Sequence, residues 1–183
     1  MIIQFTGLSG SGKSTLANQL CKALKHCGFH VELIDGDEYR ELISKGLGFS
    51  KEDRITNIKR LGFIAGKLSK NKVVTIMAAI APYKESRDFV KDCSGGEYCL
   101  IYTKCSMEAL RYRDPKGLYH RAFLPPDDLD HIPNFTGVTD PYDEPLDAHL
   151  VIDTDQINEK QSLGLVVSKV LSRMGTSLKE YLD

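Results

Sequence analysis

Apolar residues along the chain follow two alternating periods. Ile2 to Thr6 is a short, nearly continuous apolar run closed by Gly7, Gly10 and Gly12, the pattern of a buried strand entering a turn. From Lys13 onward Leu16, Ala17, Leu20, Cys21 and Leu24 recur at three- and four-residue steps. That spacing lines one face of a helix, and Gly28 supplies its C-terminal stop. Val31 to Ile34 reads as a second strand running into Asp35-Gly36-Asp37. Two helices are expected between Glu38 and Leu68, broken near Gly46-Leu47-Gly48. Ser50 is the natural N-cap of the second, with Asp53 at its third position and Ile55, Ile58, Leu61, Ile64, Ala65 and Leu68 as its buried stripe.

Val73 to Met77 reads as a strand buried on both faces, Tyr98 to Thr103 as another and Leu150 to Ile152 as a short last one. Helical spacing returns over Glu85 to Lys91, Met107 to Arg111 and Glu159 to Met174. Strands alternating with helices predict an α/β domain, a parallel sheet with helices on both faces, whose ligands sit at the carboxyl ends of the strands. Residues 113–146 break the rhythm with most of the prolines and many acidic and aromatic side chains. A stretch of this length without periodicity reads as a mobile lid.

At 183 residues the chain is sized for a single domain, expected over 1–183. With 24 Lys+Arg against 25 Asp+Glu it carries no overall field for a nucleic-acid backbone. No apolar run approaches the ~20 residues that cross a bilayer, and MIIQF has no basic leader, so the expected location is the cytoplasm, away from any membrane. Five scattered cysteines without a C-x-x-C pair fit neither a disulfide framework nor a zinc site, and are expected to be buried free thiols.

The strongest chemical signal is Gly7-Leu8-Ser9-Gly10-Ser11-Gly12-Lys13-Ser14, which matches G-x-x-x-x-G-K-[ST] between a strand and a helix. Backbone N–H groups of Gly7, Ser9, Gly10, Ser11, Gly12, Lys13, Ser14 and Thr15, at a helix N-terminus, suit the polyphosphate of a nucleoside triphosphate. Lys13 would reach its β/γ-phosphates, and the Ser14 hydroxyl a Mg²⁺ ion. Val73 to Ile80 ends without the carboxylate that motor ATPases and GTPases place there. The acidic pair Asp35 and Asp37 follows the second strand instead, where Asp37 could deprotonate an attacking hydroxyl and Asp35 support the metal's waters. Arg40, Arg54, Lys59 and Arg60 offer cations to an anionic acceptor. Phe49 could equally fill the core or stack on a base. A second basic cluster, Arg111, Arg113, Lys116 and Arg121, is placed to close over the phosphates.

These elements, together with Gly48-Phe49-Ser50, Asp53-Arg54-x-x-Asn57, Ala81-Pro82-Tyr83 with Arg87, Arg113-Asp114-Pro115-Lys116-Gly117-Leu118-Tyr119, Phe135-Thr136-Gly137, Pro141-Tyr142 and Asp153-Thr154, resemble adenylylsulfate (APS) kinase in the same order. The resemblance implies a P-loop kinase fold. The activity it implies is transfer of the ATP γ-phosphate to the 3′-hydroxyl of adenosine 5′-phosphosulfate, giving PAPS and ADP. It assigns the 3′-hydroxyl to Asp37, and the phosphosulfate and ribose to Arg40, Arg54 and Asn57. Phe49 and Phe135 would sandwich the acceptor adenine, with Ile80, Ala81 and Lys116 nearby, while Arg113 and Thr154 would serve ATP. Ala81 stands where many family members carry Ser, which implies direct transfer without a phosphoserine, and Lys59 replaces the commoner Arg. The segment Phe123 to Asn134 is several residues longer and more acidic than the usual lid, so a same-fold kinase for another nucleotide conjugate, such as a phosphoramidate, is the alternative. The resemblance leaves room for a homodimer.

Overall fold

The computed structural model describes residues 1–175. Its elements are β1 (Ile2–Thr6), α1 (Lys13–His26), β2 (Val31–Asp35), α2 (Gly36–Leu42), α3 (Lys51–Lys70), β3 (Val74–Ala78), α4 (Lys84–Cys93), β4 (Tyr98–Lys104), α5 (Met107–Arg113), α6 (Leu118–Ala122), β5 (Leu150–Asp153) and α7 (Glu159–Arg173). The five strands are all parallel, in the order β2-β3-β1-β4-β5. β1 therefore lies between two strands that come later in sequence. The chain switches sides of the sheet around it, which opens a crevice at its carboxyl end.

Every residue of β1 and β3 is buried, as their continuous apolar runs require. Alternate side chains feed two cores. Ile3, Phe5, Ile76 and Ile101 pack with Leu16, Leu20 and Leu24 of α1 and Val166 and Val170 of α7. On the other face Ile2, Ile34, Met77 and Leu100 pack with Ile58, Leu61 and Ala65 of α3 and Val90 of α4. Ser50 caps α3 by accepting a hydrogen bond from the Asp53 amide, as its spacing predicts.

A third, smaller core lies mostly within the segment expected to lack regular structure. Leu110, Tyr119, Ala122 and Phe135 form it, with Leu8 and Ile132 packed against them. Its organising element is α6, a helix of one and a half turns behind Gly117, whose φ of 64° breaks the chain from α5. Five residues are too few to show a helical period, which is why the pattern misses it. Asp114 steadies the element, its carboxylate accepting from the Tyr119 and His120 amides at 3.0 and 2.9 Å. All five cysteines are free, but only Cys21 and Cys99 are buried; Cys27, Cys93 and Cys105 are partly exposed, contrary to expectation.

Candidate active site

The loop after β1 takes its shape from its own sequence. Gly7 adopts φ 145°, and a Cβ there would stand 2.5 Å from the Thr103 carbonyl oxygen. Only glycine lets the loop lie this close to β4. The Ser11 side chain turns inward to a hydroxyl contact with Thr103 at 2.8 Å, so this serine has its amide, not its hydroxyl, to offer a phosphate. α1 begins immediately after Gly12 with no acidic residue in its first turn, leaving the helix's partial positive charge unopposed there. Lys13 curls back so that Nζ donates to the Leu8 carbonyl at 2.7 Å. Burial pulls its ammonium down to about 8 against the opposing pull of Asp37 and Asp35. A polyphosphate in the loop would restore the full cation.

At the end of β2, Asp35 uses both carboxylate oxygens. Oδ1 accepts from the Asp37 amide at 3.0 Å and caps α2, while Oδ2 accepts from the Ser14 hydroxyl at 2.7 Å. The strand register sets Asp35 beside Ala78 of β3, so the acidic pair reaches the loop's edge of the crevice although β2 and β1 are not neighbours. Asp37 is exposed and paired with Lys116, which reaches it from the lid.

These groups share one pocket of about 750 Å³. Its wall includes Ser9, Gly10, Gly12, Lys13, Ser14 and Thr15 on one side. Asp35, Asp37, Arg40, Phe49, Arg54, Asn57, Ile80, Ala81, Lys116 and Phe135 continue it on the other. Phe49 stands 57% exposed, which decides against the core. Its ring carries the Arg40 guanidinium at 4.2 Å and that of Arg54 at 5.4 Å, and Arg40 also donates to the Gly48 carbonyl. The Asn57 side-chain carbonyl and the Thr136 hydroxyl are buried with no protein partner, the arrangement of atoms that await a ligand. Ala81, just before Pro82, has φ 46°, a strained value for a residue with a side chain.

Several expectations change. Phe135, assigned by the resemblance to the acceptor adenine, is also a packed residue: it is 8% exposed and meets Tyr119 edge-on at 4.9 Å, so one ring serves both the small core and the pocket wall. Arg113 and Thr154 are brought together beside the phosphate loop, Nη1 to Oγ1 at 3.0 Å and Nη2 to the carbonyl at 2.7 Å. Arg111 leaves the second basic cluster to stack on Phe123 at 4.4 Å. Arg87 is buried and spends its guanidinium on the carbonyls of Ala81, Pro82 and Asp143, fixing the loop before α4. The sequence reading missed Ile132, Pro133 and Asn134, which bring the long lid insertion into the wall, and Asp140 behind Arg54. None of these carries a local signal.

A phosphate loop at the switch point of a parallel sheet, facing an acidic residue and a set of arginines across one pocket, defines a P-loop phosphotransferase. The adenylylsulphate kinase family model matches residues 1–153. The chain belongs to the adenylylsulphate kinase family. It is 45% identical to a probable adenylyl-sulfate kinase of Halalkalibacterium halodurans over 88% of this chain and 78% of that one. An adenylyl-sulfate kinase of Chloroflexus aurantiacus is 44% identical over 87% of this chain and 83% of its own. The solved APS kinase of Mycobacterium tuberculosis in complex with AMPPNP and APS superposes with a TM-score of 0.83 at 29% identity, covering 96% of this chain and 97% of that one. No helix among the described residues is long and apolar enough to cross a membrane.

Proposed function

We propose that this protein uses ATP to phosphorylate the 3′-hydroxyl of adenosine 5′-phosphosulfate, releasing ADP, by direct transfer between the two bound nucleotides. The observation that carries this reading is a single pocket joining the phosphate loop to Asp37, Arg54 and Asn57. Family membership and the bound molecules of the Mycobacterium relative support the substrate pair.

In the proposed reaction Asp37 accepts the proton of the 3′-hydroxyl as that oxygen bonds to the γ-phosphorus, and the bond from phosphorus to the β–γ bridging oxygen breaks. Lys13 and the loop amides hold the charge that gathers on the phosphates. Lys116 pairs with Asp37 from the lid, which puts a cation beside the carboxylate that takes the proton. Arg40, Arg54 and Asn57 hold the acceptor's anionic end, and Phe49 and Phe135 its base. Ala81 has no hydroxyl to carry the phosphoryl group, which leaves transfer direct. Ser14 and Asp35 place two oxygen donors side by side, which suits Mg²⁺, an ion that takes few protein ligands and keeps its waters and phosphates. When bound, Mg²⁺ would neutralise charge on the β- and γ-phosphates. A cytoplasmic location, where ATP is supplied, fits this reading.

The test is a product assay with ATP and a panel of acceptors: adenosine 5′-phosphosulfate, nucleotide phosphoramidates and plain 5′-monophosphates. The phosphosulfate should give a 3′-phosphorylated product and ADP at the highest kcat/KM. A faster phosphoramidate would reassign the acceptor, with the lid insertion as the reason.

A further inference from the structure

Arg54 reaches the pocket wall with most of its guanidinium already held. Nε donates to the Phe49 carbonyl at 3.0 Å and stands 3.4 Å from Asp140 Oδ2, while Nη2 donates to the Asn134 carbonyl at 2.5 Å. Nη1 has no protein acceptor among the described residues. Asp140 is itself gripped from the far side. The Tyr83 hydroxyl donates to its Oδ1 at 2.9 Å and its Oδ2 at 3.0 Å. Its backbone also closes the turn that carries Phe135, accepting from Gly137 N at 2.7 Å and donating to Phe135 O at 3.1 Å. One carboxylate thus ties together α3, the loop before α4 and the lid turn, yet does not line the pocket.

A nearly buried guanidinium with one free edge is useful only if that edge points at the ligand, and its orientation is set by what holds the other edges. We infer that Asp140 is a positioning residue for the acceptor: by fixing Arg54 at Nε it aims the free Nη1 at the acceptor's anionic group, and, being part of the lid turn, it does so only while that turn is seated. The inference rests on reading Arg54 as the holder of the acceptor's anion. Charge alone makes the opposite claim. A carboxylate beside an anion site repels the anion, so its neutralisation should tighten acceptor binding. Geometry says that the side-chain amide introduced by Asp140→Asn, bonded to Tyr83 through its oxygen, would turn its N–H groups against Arg54 Nε–H, donor against donor, and release the guanidinium.

The two accounts separate in steady-state kinetics with ATP and adenosine 5′-phosphosulfate. Asp140→Asn should raise the acceptor KM about tenfold, a usual size for coupling within one hydrogen-bonded network, and leave the ATP KM within about twofold. In an Arg54→Ala background the same change should add less than about twofold. Tyr83→Phe removes only the hydroxyl that grips Asp140, so it should shift the acceptor KM in the same direction by about threefold and serves if Asp140→Asn fails to fold. An unchanged or lowered acceptor KM, an equal rise for both substrates, or full additivity with Arg54→Ala would overturn the positioning role alone. Wild-type protein that turns over no adenosine 5′-phosphosulfate would overturn it together with the functional reading.

Discussion

The phosphate loop and the lid face each other across one pocket but are held in different ways. In the loop much of the shape is set locally: Ser11 N donates to Leu8 O at 3.2 Å and Lys13 Nζ to the same carbonyl, with the Ser11 hydroxyl on Thr103 as a longer tie. The lid is held from afar. Arg54 binds its Asn134 carbonyl, Tyr83 grips Asp140, and the Tyr119 hydroxyl donates to Ser9 O at 2.9 Å. A donor site built locally serves many acceptors in many folds. The acceptor site is assembled from segments that meet only in the folded chain, so selectivity is spread over them.

The largest effect expected from breaking this comparison is at its local half. Lys13→Ala should lower turnover by about 10²–10³-fold, the loss seen when one donor to a developing negative charge is removed, with the melting point nearly unchanged. Lys13 is buried at the loop and belongs to none of the three apolar clusters. Near-normal turnover in the purified variant would remove the phosphate loop from the chemistry.

Phe135→Ala tests the distributed half. Because the ring is both packed and pocket-facing, truncation should cost stability, about 3 kcal/mol at the low end for a buried Phe, and also shrink the melting-point rise produced by acceptor. The rise produced by an ATP analogue should survive. A variant that melts like wild type would show the ring unpacked.

The smallest effect sharpens the contrast by pH. Burial holds the free Lys13 ammonium near 8, and a bound polyphosphate would raise it, so the cation that ATP needs is present below that value and lost above it. ATP affinity should therefore be flat below about pH 8 and fall by up to about tenfold per unit above it. Acceptor affinity should stay level over the same range, since Arg54 remains charged although burial lowers its pKa. Calorimetric titrations of each nucleotide at pH 7 and 9 would distinguish the sides, and parallel curves would contradict the assignment.

What could be read from sequence follows the same division. The five strands, α1, the Ser50 cap and the roles available to Ser14, Asp35 and Asp37 all follow from spacing, because neighbours in sequence decide them. Nothing near Phe135 in the chain marks it as packed, since its flanking residues are polar and prolyl, while the partners that bury it, Leu110 and Tyr119, are far away in sequence. Nothing in the sequence around His149 announces its place. Its Nδ1 accepts the Leu100 amide at 3.0 Å, standing in for a backbone carbonyl where β5 joins the sheet. Asp140 likewise reads as one more turn aspartate until α3 and the loop before α4 close around it.

Gly137 illustrates what the small third core does to motion. Its φ is 87°, and a Cβ there would lie 2.7 Å from Leu8, so the lid turn rests directly on the phosphate loop with its own apolar residues beneath it. Lifting that turn would wet greasy surface, not simply bend a hinge. Such exposure carries a positive heat capacity, and the force that resists it fades on cooling. Any opening of this turn should therefore become easier on cooling and harder on moderate warming.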